Sequence, residues 1–153
     1  MKRMTSFGGL IACLERQARR FYDTALAAHG LGAGTHRIVA RLFRHGGMNQ
    51  NELSQKLVLD KASITRAVRR LLAAGYVTRK RDRNDRRANR IFLSAEGVRV
   101  MSTIHEARGR WMQILSRGFS KQEQDSAVRL MQRMYDNSVE WKLNHESQQN
   151  HRR

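Results

Sequence analysis

Residues Arg79 to Arg90 read RKRDRNDRRANR, seven basic residues and two aspartates in twelve positions. Such a run serves as a disordered basic tail, a targeting peptide or a shaped binding element, and its flanks choose among these. GYVT (75–78) precedes it and IFLS (91–94) follows it. Both are short and rich in β-branched and aromatic residues, which is the composition of strands. Disordered basic tails are not usually bracketed by strands in mid-chain. The pattern predicts a two-stranded hairpin with RDRNDRRAN at its tip. Asp82, Asn84, Asp85 and Asn89 bring turn chemistry there, because their short side chains bond to nearby backbone. The plainer alternative is a solvated loop, for which so many arginines are surplus.

Upstream lies MNQNELSQKLVL (48–59). Asn49 is placed to cap a helix, and Glu52 three residues on completes a capping-box pattern. This predicts a short helix over 50–57, a turn at VLD, and a second helix over 61–74 capped by Asp60 and ended by Gly75. On that second helix Ile64, Val68, Leu71 and Leu72 share one face, spaced for a core. Lys61, Ala62, Thr65, Arg66 and Arg69 occupy the other. Small residues near the start, then hydroxyls and long donors, suit a helix entering the major groove of DNA. An ordinary basic solvated face is the competing reading, and the neighbouring basic hairpin tips the balance. Two short helices followed by a basic hairpin make a winged helix-turn-helix.

Composition agrees. The 153 residues hold 30 Lys and Arg against 13 Asp and Glu, a formal net charge of +17. That field favours polyanions: DNA, RNA or an anionic membrane. Residues 60–90 alone carry 11 Lys and Arg against 3 Asp and Glu. The chain has no proline, which fits a mostly helical protein. No apolar run is long enough for a transmembrane helix. A single cysteine, Cys13, excludes an intramolecular disulfide and a cysteine-only zinc site, and the composition reads as cytoplasmic. MKRMTSFGGLIAC (1–13) imitates a lipoprotein signal. Its apolar run from Phe7 to Ala12 is too short for one, and the apolar spacing continues past Cys13 to Leu26 as a single amphipathic helix.

The rest of the chain is helical. A first helix over about 5–28 is broken by HGLGAG (29–34), and a second runs over 35–44 with Ile38, Val39, Leu42 and Phe43 apolar, ended by HGG (45–47). After Ser94 one long helix to about Ser116 carries Val98, Met101, Ile104, Trp111 and Leu115 as its stripe. Ser120 and Glu123 cap a last helix bearing Val128, Met131, Met134, Tyr135 and Val139, to about Lys142, before a frayed tail. The fold class is therefore mainly α with a small β-hairpin wing: a winged helix-turn-helix (35–94) flanked by an N-terminal dimerisation helix and linker (1–34) and C-terminal dimerisation helices and tail (95–153). The terminal helices have apolar stripes short of partners, which predicts a symmetric homodimer.

The run from Asn49 to Gly97 resembles the MarR/SlyA family of bacterial transcription regulators, above all in LDKASITR (59–66), GYVTRKRD (75–82) and DRRANRIFLSAEG (85–97). The resemblance covers about 7–142. It implies an obligate dimer of two winged-helix lobes on pseudo-palindromic promoter DNA, acting as repressor or activator. By position, it implies that Lys61, Ser63, Thr65 and Arg66 read bases, that Arg69 and Arg70 lie nearer phosphates, and that Arg87 enters the minor groove with Asp85 orienting an arginine there. Arg86 and Arg90 belong to the same basic wing. A narrow A·T-rich minor groove suits an inserted arginine. The chain departs from the family at Arg83, where a proline is common, and at His36, where a larger aromatic residue is usual. Gly32 and Gly34 fall in the segment that frames the family's ligand pocket. Phenolic carboxylates are common effectors in the family, so a small anionic aromatic effector is the expected class.

Other chemistry is thin. Cys13 has Arg16 and Lys2 in reach, but the peroxide-sensing position of one family branch falls near Gly8, and a structural cysteine is the favoured reading. The six histidines lack ligand spacing, so neither metal nor cofactor is expected. No serine elbow, phosphate loop or paired acids suggest an enzyme. The alternative of another class is a sequence-independent nucleoid-associated or RNA-binding winged-helix protein. The net charge encourages it. The hydroxyl-bearing front of the reading helix argues against it, because phosphate binding needs only charge.

Overall fold

A computed structural model describes residues 6–32, 34–81 and 89–150, from 142 onward by backbone alone. Helix α1 spans Phe7–Ala25, with Ser6 capping it through a bond from the Gly9 amide (3.2 Å). A 3-10 turn at Ala27–His29 follows, and α2 covers Thr35–His45. Strand β1 is Met48–Asn49, α3 is Gln50–Leu57 and α4 is Lys61–Ala73. Strands β2 (Val77–Arg81) and β3 (Asn89–Leu93) pair as the arms of the predicted hairpin but extend further into the basic run, so Arg81 and Asn89, expected at the tip, face each other in the strands. Then come α5 (Ala95–Arg99), α6 (Met101–Leu115) and α7 (Lys121–Asn150).

The predicted caps are present. Asn49 and Glu52 exchange both capping-box bonds, Glu52 N–H to Asn49 Oδ1 at 2.9 Å and Asn49 N–H to Glu52 Oε2 at 2.8 Å. Two helix amides that would otherwise be orphaned are thereby satisfied. Ser120 and Glu123 do the same at the start of α7. Gly46, at φ 70°, ends α2.

The sheet differs from a simple hairpin. It has three strands in the order β1-β3-β2, all antiparallel, with Met48 opposite Ile91 and Asn49 opposite Arg90. A strand of two residues carries no alternation to read, so β1 went unpredicted. The long helix expected after Ser94 is interrupted at Val100, giving α5 and α6. Its buried face is Gly97, Val100, Met101, Ile104 and Ala107, whereas Val98 is exposed. Gly97 explains the shift. A Cβ there would lie 2.1 Å from the Tyr76 carbonyl oxygen, so a residue without a side chain sits where the helix meets the backbone of the sheet. Helix α7 also runs further than the sequence suggested, its backbone helical to Asn150.

The chain divides into two compact units, Met1–Trp111 and Met112–Arg153. The core of the first gathers Leu26, Leu31, Ile38, Val39, Leu42, Leu53, Ile64, Val68, Leu71, Ile91, Met101 and Ile104, each at most 4% exposed. Fully burying such a side chain contributes roughly 1.5–3 kcal/mol. Tyr76 pins the end of α4 by donating to the His29 carbonyl at 2.8 Å. By contrast, Phe7, Leu10, Ile11 and Leu14 on α1 and Val128, Met131, Tyr135, Val139 and Trp141 on α7 are exposed.

Candidate nucleic-acid interface

Helix α4 has one apolar face and one open face. Ile64 and Val68 are fully buried, Leu71 is 1% exposed, and Leu72 is half-buried against the same core. Lys61, Ala62, Thr65, Arg66, Arg69 and Arg70 are exposed, and Ser63 is half-buried. Five of the six site residues predicted on this helix thus stand exposed on its outer side, and Ser63, half-buried, borders a cleft with Tyr22, His36, Leu59 and Ala67. An α-helix is about 10–12 Å across, and the major groove, about 12 Å wide, accommodates one.

The start of α4 is tightly bonded. Asp60 accepts the Ser63 amide at 2.7 Å through Oδ1 and the Ser63 hydroxyl at 2.6 Å through Oδ2. Those bonds from Ser63 hold the exposed Asp60 carboxyl below its ordinary pKa. Arg66 Nη2 donates to Ser63 Oγ at 3.0 Å. The Thr65 hydroxyl has two acceptors at 2.9 Å, the Lys61 carbonyl one turn back and Gln50 Oε1 at the head of α3. Gln50 was missed in the sequence, where it stands inside the capping run NQNE without a signal of its own.

The wing stands beside this helix in the chain. Arg79, Lys80 and Arg81 are exposed along β2, and Lys80 Nζ lies 5.5 Å from the Phe92 ring centroid, a cation–π distance. Asp85, Arg86 and Arg87, with the rest of the tip, lie outside the described residues. Arg90 is turned inward. Its Nη2 donates to the Gly47 carbonyl and lies 3.5 Å from Glu52 Oε2, the oxygen that also caps α3.

Away from this face, a cleft of about 360 Å³ is lined by Arg37, Arg41, Arg44, Lys56 and Arg108 with Tyr22 and His36. Among the described residues it holds five cations and no acid. The rings of Tyr22 and His36 stack at 4.4 Å. Burial, and then the charge of Arg37, push the His36 pKa down to about 4, so its imidazole is neutral at pH 7. Cys13, half-buried on α1, accepts from Arg16 Nη2 at 2.9 Å. No helix among the described residues is long and apolar enough to cross a membrane.

Residues 33–88 match the model of the MarR family. A solved MarR transcriptional regulator from Methanosarcina mazei Go1 has the same fold with a TM-score of 0.83 and 30% identity, over 87% of this chain and 96% of that one. The chain belongs to the MarR family of transcriptional regulators. Among curated relatives, the HTH-type transcriptional regulator TtmR of Methylorubrum extorquens is 36% identical over 78 residues, which are 51% of this chain and 40% of that protein. This chain thus matches less than half of that relative's length. A MarR-family regulator from Listeria monocytogenes, solved in complex with a 26mer DNA, shares the fold at 18% identity with a TM-score of 0.81, over 88% of this chain and 89% of that one.

Proposed function

We propose that this MarR-family chain is a dimeric, sequence-specific DNA-binding transcription regulator. In this reading α4 enters the major groove with Lys61, Ser63, Thr65 and Arg66 toward the bases, and Arg69 and Arg70 toward phosphates. The basic wing, with Asp85, Arg86 and Arg87 at its tip, enters an adjacent minor groove. The observation that carries the reading is the outer face of α4. Its cations and the Thr65 hydroxyl are exposed, with Ser63 half-buried, while its apolar face is locked into the core, so its polar groups are presented on a rigid element. Arg90 takes a different part, anchoring β3 to Gly47 and Glu52.

Dimerisation through the chain ends is supported by the exposed apolar residues of α1 and α7, which a second copy would cover. Two-fold symmetry would set two reading helices one DNA turn apart on a pseudo-palindrome, with A·T-rich sequence favoured under the wing. The cationic cleft beside Tyr22 and His36 supports modulation by a small anionic aromatic effector, with arginines for a carboxylate and rings for stacking.

The test is selection of genomic DNA fragments by the purified protein at about 150 mM salt, near physiological ionic strength. A two-fold symmetric motif with half-sites about one helical turn apart is the expected result. Broad enrichment with no motif would instead establish the sequence-independent, charge-driven reading.

A further inference from the structure

The reading helix carries two hydroxyls, and each has committed its only proton inward. The Ser63 hydroxyl donates to Asp60 Oδ2 at 2.6 Å. The Thr65 hydroxyl is held 2.9 Å from both the Lys61 carbonyl and Gln50 Oε1. A hydroxyl has one proton and two lone pairs. With the proton spent, what each oxygen has left to offer a partner is lone pair. On Ser63 one lone pair already receives Arg66 Nη2. Asp60, like any aspartate, is ionised near neutral pH, and the bonds from Ser63 favour that form further, so it takes the proton and returns none.

From this we infer that Ser63 and Thr65 are specificity-determining residues that act as hydrogen-bond acceptors, selecting the exocyclic amino group of adenine or cytosine in the major groove. A free serine or threonine donates to carbonyl and ring-nitrogen acceptors as readily as it accepts. Here, donation to thymine O4 or guanine O6 would first require breaking an internal bond. Gln50 is a positioning residue in this scheme, reaching from α3 to hold the Thr65 hydroxyl. The neighbouring cations Lys61 and Arg66 supply donors only. Helix α4 would then read both polarities, donors from its cations and acceptors from its hydroxyls. The inference rests on the proposal that α4 lies in the major groove.

Each base pair shows one amino group in the major groove, so sequence preference alone does not separate an acceptor from a donor. Atom-level substitution does. The full-length protein is first used to select from a randomised duplex library. In the selected site every adenine is then replaced in turn by purine, and every cytosine by 2-pyrimidinone, which removes only the amino group. At one or two positions the wild-type protein should lose roughly 3- to 10-fold in affinity, the range of a single neutral hydrogen bond. Thr65→Val, which keeps the shape of the side chain, should show no further loss at the Thr65 position. Thr65→Ser should retain it. Ser63→Ala is read the same way at its own position, and wild type with Thr65→Ser suffices if another variant does not fold. Equal affinity of the wild type for every amino-free site overturns the inference. So does a loss that Thr65→Val and Ser63→Ala both share with wild type. Failure of the selection to yield any motif overturns the sequence-reading proposal itself, a separate result from these.

Discussion

Arg90 of β3 reaches Glu52 of α3 with Nη2 3.5 Å from Oε2, and the same carboxylate oxygen closes the capping box by accepting the Asn49 amide. One carboxylate thus serves both the helix that opens the helix-turn-helix and the strand that carries the wing. Both side chains are about a third exposed, which limits the ion pair to less than about 1 kcal/mol. Glu52→Ala removes the cap and the pair together and should cost about 1 kcal/mol or slightly more. Glu52→Gln keeps a capping acceptor and loses only the charge, so it should cost less, and its deficit should shrink at high salt. Urea unfolding at two ionic strengths measures both. Equal, salt-independent costs would show that the Arg90 contact contributes nothing.

His36 makes the stability of the helical core depend on pH. Its imidazole is held down to about 4 against an ordinary 6.5, by burial first and by Arg37 second, with a backbone bond at Leu31 and then Asp23 opposing. Between those values the unfolded chain binds a proton that the folded chain does not. Stability therefore rises with pH across this window and is lost as pH falls from 6.5 toward 4, by roughly 3 kcal/mol in all. His36→Phe keeps a ring against Tyr22 and removes the titration. Unfolding free energies of the two proteins, measured from pH 7 to 4, should diverge as pH falls. Parallel curves would mean that His36 is not a buried neutral base.

Much of this organisation is legible in the sequence, and what is not has definite physical causes. The capping pairs Asn49–Glu52 and Ser120–Glu123 and the apolar face Ile64–Val68–Leu71 follow local rules of helix periodicity and terminal amides, and they appear as expected. After Ser94, Met101 and Ile104 are buried as the stripe predicts, but Val98 is exposed, and in its place Gly97, which looks like a poor helix residue, is the point of closest approach to Tyr76. Its burial depends on the sheet, not on its own neighbours in sequence. β1 is too short for alternation to register. Gln50 and Arg90 take their roles from partners 15 and 43 residues away, Thr65 and Gly47, and no local pattern encodes such pairs. The predicted roles of Asp85, Arg86 and Arg87 rest on the family resemblance.

The turn between α3 and α4 carries backbone strain. Val58 has φ 53° and ψ 49°, and it is the only described residue other than glycine with positive φ. A β-branched side chain is disfavoured in this left-handed region by about 1–2 kcal/mol. Val58 is 70% exposed, so it gains little from packing in return. Val58→Asn should raise stability by about 0.5–1 kcal/mol, because asparagine tolerates the conformation. The shift would appear in the urea midpoint with an unchanged slope. A lower midpoint would show that the exposed valine makes a contact worth more than its strain.

Gly97 should be harder to replace than Gly47 or Gly109. Its Cβ position is 2.1 Å from the Tyr76 carbonyl oxygen and 3.1 Å from Leu93 Cδ2. The first neighbour is backbone, and that carbonyl is already bonded to the Ser94 amide at 3.0 Å, so it cannot retreat without breaking the bond that joins the end of α4 to the start of α5. At Gly47 the nearest atoms to the equivalent position belong to the Phe92 ring, a side chain able to rotate away. Gly97→Ala should therefore cost about 1–3 kcal/mol or more despite alanine's better helix propensity, which favours the variant by about 1 kcal/mol. Gly109→Ala in α6 is the control, since nothing lies within 4 Å of its Cβ position. It should stabilise by up to about 1 kcal/mol. Thermal unfolding of the two variants should then move in opposite directions. If both rose, the close approach of α5 to Tyr76 would be wrong.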